Sequence, residues 1–228
     1  MKSSLYRGSK SSSLKFFSFL TAFIIVSLFT ESTRAVDISS SDLIGFRGGF
    51  WRIEKAKDLP SNIQAKRYTP YLELFFSYGI KKGFSLELDL GAGYRGDTKI
   101  TVPGGYYIEN WNLYPVSGKF KYSLFSYYPQ KRFQPYLDLG LTFLTASSTY
   151  NDPYYLGVTF IRTKTAFGAL AGWGVDFAVS SRILANLDFQ YRWVGFDQAV
   201  GAIKDYSGPQ LIFGLEYIIK QKPSKKLE

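Results

Sequence analysis

The chain contains no cysteine and no histidine. The first absence rules out a disulfide framework. The second removes the usual general base of serine and cysteine hydrolases and the commonest zinc ligand. Beyond residue 35, no stretch approaches the 18 or more apolar residues of a membrane-spanning helix. If this part of the chain crosses a membrane, it does so with strands.

The N-terminus differs from the rest. Lys2, Arg7, Lys10 and Lys15 precede an apolar run from Phe16 to Phe29, broken only by Ser18, Thr21 and Ser27, and residues Glu31 to Ala35 follow. This order predicts a secretory signal peptide over 1–35, cleaved after Ala35. A membrane anchor is the competing reading, but an apolar run of about 14 residues is short for a spanning helix. The whole chain carries +10, and the 193 residues after position 35 carry +6. For an exported chain, that surplus points to anionic lipid head groups and away from nucleic acid. One domain is expected over 36–220, followed by a basic periplasmic tail at 221–228.

What the sequence does have is alternation. From Phe84 to Tyr94, apolar side chains alternate with polar or tiny ones, as in a strand with one greasy and one charged face. The pattern recurs, giving eight expected strands at 43–52, 68–79, 84–95, 111–125, 134–147, 162–178, 182–194 and 207–220. Three connections are short (80–83, 126–133, 179–181) and four are long (53–67, 96–110, 148–161, 195–206). Long and short alternate strictly, so an up-and-down meander would put all the long loops at one rim. The expected fold is all-β, an eight-stranded antiparallel up-and-down transmembrane β-barrel with its termini at the short-turn rim.

Alternation alone leaves two barrels open. A soluble lipocalin-like ligand binder puts the apolar face inside; a membrane barrel reverses it. Bulky runs such as Leu137, Leu139, Leu141 and Phe143 would overfill a small barrel, which favours the membrane version. So do Trp51, Tyr68, Tyr78, Tyr94, Trp111, Tyr122, Tyr136, Trp193 and Tyr206, which lie near strand ends where aromatic girdles form.

The opposite face then supplies a lumen. Its acids are Glu73, Glu87, Asp89, Asp138, Asp176, Asp188 and Glu216; its bases are Arg47, Lys119, Lys121, Lys164, Arg192 and Lys220. Near balance predicts an ion-pair network, with Glu87 and Asp89 facing Lys119 and Lys121. Inward glycines, including Gly91, Gly140, Gly174 and Gly214, leave room for either a plugged lumen or a narrow polar path.

The segment Tyr114-Pro115-Val116-Ser117-Gly118-Lys119-Phe120-Lys121-Tyr122, with Phe133-Gln134-Pro135-Tyr136-Leu137-Asp138-Leu139-Gly140-Leu141 after it, resembles the core of small outer-membrane β-barrel proteins. These include the OmpW-like and OmpA-barrel-like porin families. Leu141 replaces their second glycine. Gly214-Leu215-Glu216-Tyr217-Ile218-Ile219 resembles their C-terminal assembly signal, although the polar residue expected two before the glycine is Ile212 and the chain runs nine residues further. The resemblance implies a Gram-negative outer-membrane location, contact with the barrel assembly machinery, a monomer and no cofactor. It also implies a structural role or passage of small, often hydrophobic, molecules.

Three further signals remain. Lys55, Lys57, Lys66 and Arg67 lie in the first long loop, with Arg95 and Lys99 beside the second; facing outward, they are candidate contacts for lipopolysaccharide phosphates. Gly91-Ala92-Gly93-Tyr94-Arg95-Gly96 fits a dinucleotide-binding string, but Pro103 and its glycines follow where a helix is required. A lipid-modifying enzyme is disfavoured, since such barrels depend on histidine. No catalytic, cofactor or metal residues are assigned.

Overall fold

The computed structural model describes residues 41–220 except 82, 104, 126–131 and 152–158. The expected leader at 1–35 and tail at 221–228 lie outside the described residues. Strands form where aromatic and β-branched residues alternate with polar ones. They are β1 (Asp42–Arg52), β2 (Ile63–Gln64), β3 (Tyr68–Lys81), β4 (Phe84–Val102), β5 (Gly105–Ser123), β6 (Phe133–Asn151), β7 (Thr159–Ala178), β8 (Ile183–Val200), β9 (Ile203–Asp205) and β10 (Gly208–Lys220). Eight of them make an antiparallel ring: β1, then β3 to β8 in order, then β10, which pairs with both β8 and β1.

The faces settle which barrel this is. Leu139, Leu141 and Phe167 point outward at 65, 71 and 81 % exposure, while Arg47, Glu73, Asp89, Lys119 and Asp188 are at most 2 % exposed. Apolar outside and charged inside is the membrane arrangement, and it excludes the lipocalin-like one.

Strands β4 to β7 run 19 or 20 residues, about twice the 9–11 that cross a bilayer. Much of what read as long loops is therefore strand. The β4–β5 ladder continues to Val102 opposite Gly105, and the β6–β7 ladder to Asn151 opposite Thr159. Beyond the bilayer a hairpin leg can be wetted on both faces, so it loses the one-sided apolar pattern that marks a strand in sequence. Among the described residues, 53–67 remains a long connection. It holds one turn of 3-10 helix, Glu54–Lys57, and β2, which pairs with β4.

Inside the ring the side chains stack in three layers. Leu43, Phe75, Leu184 and Ile218 form a small apolar cluster at the end where β1 begins and β10 stops. A charged belt follows. At the far end Trp51, Trp111, Leu113, Leu144, Val194 and Tyr206 belong to a larger apolar cluster. Trp51, Trp111, Tyr136 and Tyr206 are thus interior residues, whereas Tyr68, Tyr78, Tyr94 and Trp193 do face outward. Parity separates the two sets: Trp51 shares the face of Arg47, and nearness to a strand end says nothing about that.

The room left by inward glycines is taken. Tyr71 lies over Gly91, Tyr136 over Gly174 and Arg47 over Gly214, so a Cβ at any of the three would collide with that side chain. Small residues on one strand let large ones from its neighbour cross the lumen, which gives a packed interior.

Candidate functional site

The charged belt is centred on Arg47 of β1. Its guanidinium donates to both carboxylate oxygens of Glu87, at 2.5 and 2.9 Å, and to Glu73 at 3.2 Å and Glu216 at 3.3 Å. It also stacks on Phe75, 3.6 Å from the ring centre. Lys119 bridges Glu87 at 2.7 Å and Asp89 at 2.9 Å. Lys121 reaches away from that pair to Asp176, at 2.8 Å, and lies over the Tyr136 ring. With Asp138 on β6 and Asp188 on β8, every barrel strand contributes a charge.

The belt is less balanced than its sequence suggested. Lys220 is exposed at the end of β10, and Lys164 sits at the opposite rim, donating to Gln198 at 2.6 Å. Seven buried acids therefore face four buried bases: Arg47, Lys119, Lys121 and Arg192. Neutral donors make up part of the difference. Tyr71 donates to Glu73, Asn186 to Asp176, and Gln190 to Asp138 and Asp188. Hydrogen bonds of this kind hold buried carboxylates where cations run short. Arg192 has no ion pair among the described residues; it donates to Thr142 at 3.2 Å and lies near the Trp51 and Tyr71 rings.

Of the loop cations, Lys55, Lys57, Lys66 and Arg67 are exposed, and Lys99 is half-buried against Tyr106. Arg95 departs from them. It is 1 % exposed and points into the barrel, donating to the Tyr206 hydroxyl at 2.6 Å and to the Val200 and Gly201 carbonyls. Strand alternation puts it there, on the face of Glu87 and Asp89, and a bulge begins at this point. The β4–β5 register shifts between Tyr94 and Gly96, and Gly96 takes the left-handed φ of +80° that a bulge of this kind uses. Burial pushes the Tyr206 phenol up from its ordinary value, against the opposing pull of Arg95. It stays neutral and donates in turn to the Val200 carbonyl at 2.7 Å.

One feature of this end was not legible as a site. The β7–β8 ladder stops at Gly168 and Val194, and outer β8 folds back on β9 instead. Gly201 and Ala202, both with positive φ, make the two-residue turn of that hairpin. At this end lies a cavity of about 520 Å³, lined among others by Glu109 and Trp111 of β5, Arg162 and Lys164 of β7 and Gln198 of β8. A second hollow, about 730 Å³ around Gly118, Leu139 and Leu141, is apolar and lies on the lipid face. Among the described residues no group of carboxylates is arranged to hold a metal ion.

A closed ring with charges sealed inside and an apolar belt outside defines an integral outer-membrane β-barrel. Residues 45–218 match the family described as outer membrane protein beta-barrel domain, and the chain belongs to that family. Its place is the Gram-negative outer membrane. Among solved structures it is similar to outer membrane protein OprG of Pseudomonas aeruginosa, at 18 % identity over 78 % of this chain and 96 % of that one, with a TM-score of 0.54. It is also similar to Neisserial surface protein A, at 16 % identity over 79 % and 98 %, with a TM-score of 0.51. Likeness at these identities concerns the fold. No curated protein matches the chain.

Proposed function

We propose that this protein is a closed structural barrel that presents its long hairpins at the cell surface and conducts no ions. The observation that carries the reading is the three-layered interior, in which two apolar clusters cap a hydrogen-bonded charged belt. An eight-stranded lumen is only just wide enough for its own side chains, and here they fill it. The refolded protein is expected to give no current steps in planar bilayers, with heat-dependent gel mobility as the check on folding. Discrete, reproducible conductance from folded protein would sink the reading.

The same reading makes the protein a monomer inserted by the barrel assembly machinery, with no catalytic role. Its exposed outer cations, Lys55, Lys57, Lys66 and Arg67, with Lys99 beside them, meet lipopolysaccharide phosphates. Lys55 is already near Asp58, at 3.6 Å, but exposed pairs of that kind contribute little and exchange easily. Alanine at Lys66 and Arg67 together is expected to reduce the extra thermal stability that lipopolysaccharide gives over zwitterionic lipid. An unchanged difference between the two lipids would remove these residues from the contact.

A further inference from the structure

We propose that the outer edge of β7, from Thr159 to Thr165, takes up an extended peptide segment of another protein as an added strand. The inference rests on the reading that this end of the barrel faces outward from the cell.

The register leaves this edge open. The β7–β8 ladder stops at Gly168 opposite Val194, whereas β7 continues to Thr159 with β6 beside it. In an antiparallel pair, bonded and non-bonded residues alternate. Ala178 donates to the Arg132 carbonyl on the β6 side, and Val179 donates to the Ile183 carbonyl on the β8 side. The even residues of β7 therefore bond to β6, and the odd ones turn away from it. Past Gly168, the N–H and C=O groups of Thr159, Ile161, Thr163 and Thr165 face the open side, where no strand pairs with them among the described residues. The β6–β7 register carries no bulge, and no proline interrupts this leg. Native proteins usually blunt a long edge with such devices.

What fits such an edge is a strand. The four odd residues span a stretch of seven, about 24 Å, and a segment of that length would pair with all of them by strand addition. Ile161 is 72 % exposed on a leg beyond the hydrocarbon, and an apolar side chain on the added strand would cover it. On the inner side the edge meets the cavity of about 520 Å³, whose lining includes Thr163, Gln198 and Ala199, so inward side chains of the added strand have room. Lys164 keeps its charge there, since Gln198, which accepts from it, is neutral. Lysine or arginine opposite Lys164 would be repelled. The segment is thus extended, β-branched and free of cations on its inner face. A second copy fits less well: two copies in one membrane present β7 running the same way, so their edges do not pair antiparallel.

The probe is a blocked, fluorescein-labelled heptapeptide of alternating threonine and valine. N-methylation at every second residue leaves it one bonding edge and prevents its self-assembly. With the refolded barrel in detergent micelles, it is expected to bind saturably by fluorescence anisotropy. The peptide methylated at every residue should bind at least about tenfold more weakly, as loss of several hydrogen bonds implies. Thr163→Pro removes an N–H from the open side and leaves the β6–β7 bonds alone, so it should weaken binding about tenfold in a folded barrel. Thr163→Ala keeps that N–H and should bind within about twofold of the parent. Heat-dependent gel mobility checks that both variants fold, and the two peptides give a comparison that needs no variant. Failure of the probe to saturate, equal binding of the fully methylated peptide, or equal losses for proline and alanine overturns the proposal. So does dimerisation of the barrel that Thr163→Pro abolishes, since a second copy would then hold the edge. Because the chain has no cysteine, Thr149→Cys gives a single thiol for labelling whole cells with an impermeant maleimide. Labelling without peptide binding would overturn the added strand alone; binding without labelling would overturn only the outward orientation.

Discussion

Arg47→Met is expected to destabilise the barrel by about 3–5 kcal/mol, the usual cost of removing one partner from a buried ion pair. The size follows from what is left behind. Glu73, Glu87 and Glu216 all receive hydrogen bonds from this one guanidinium, and all are buried. Glu87 keeps Lys119, and Glu73 keeps the Tyr71 hydroxyl. Among the described residues Glu216 has no other hydrogen bond, so its desolvated carboxylate bears the largest share. Urea titration in lipid vesicles, read by tryptophan fluorescence, measures the loss. Adding Glu216→Gln to Arg47→Met should recover part of it, since an amide costs less to bury than an unpaired charge. A loss below about 1 kcal/mol would place the pair in the range of exposed salt bridges, against the buried network described above.

Leu139→Arg should cost about 2–4 kcal/mol, the penalty for a basic residue on the lipid face near the bilayer midplane. Leu139 lies at the centre of the expected spanning part of β6 and is 65 % exposed, so in the membrane its neighbours are lipid chains. Thr149→Arg on the same outward face of β6 is the comparison. It stands ten residues further along, beyond the hydrocarbon, where the same substitution should cost about 0–1 kcal/mol. Equal effects at the two positions would contradict a membrane crossing by this part of the strand. The vesicle assay used for Arg47 measures both.

Period-two alternation made the barrel strands legible because lipid outside and packed charges inside impose opposite demands on successive residues. It located several inner ends closely: β4 begins at Phe84, β6 begins at Phe133 and β7 ends at Ala178, each within a residue of expectation. It failed at the outer ends of β4 to β8, where water on both faces removes the contrast. Arg95 shows how a local reading went astray. Its odd position in 84–95 puts it on the face of Glu87 and Asp89, yet its place beside the following loop suggested an exposed cation. The inward apolar residues were also readable by parity, since Leu113, Leu144 and Leu170 share the inward face. Their role was obscured by the assumption that inward meant polar. The partners of each charge were not readable at all. Lys121 turns to Asp176, 55 residues away in sequence, because strand tilt and the space above inward glycines set which side chains meet.

The charged belt has a consequence for how the barrel is made. Arg47 stands on the first strand of the ring and Glu216 on the last, facing each other across the β1–β10 seam. A sheet still lacking β10 would hold Arg47 without one of its acceptors and with an open edge beside it. Desolvating that incomplete cluster is unfavourable, whereas docking the last strand completes the contacts and closes the edge together. The ion pairs thus tie the chain's two ends into one closure step, so that partly zipped sheets have little stability of their own.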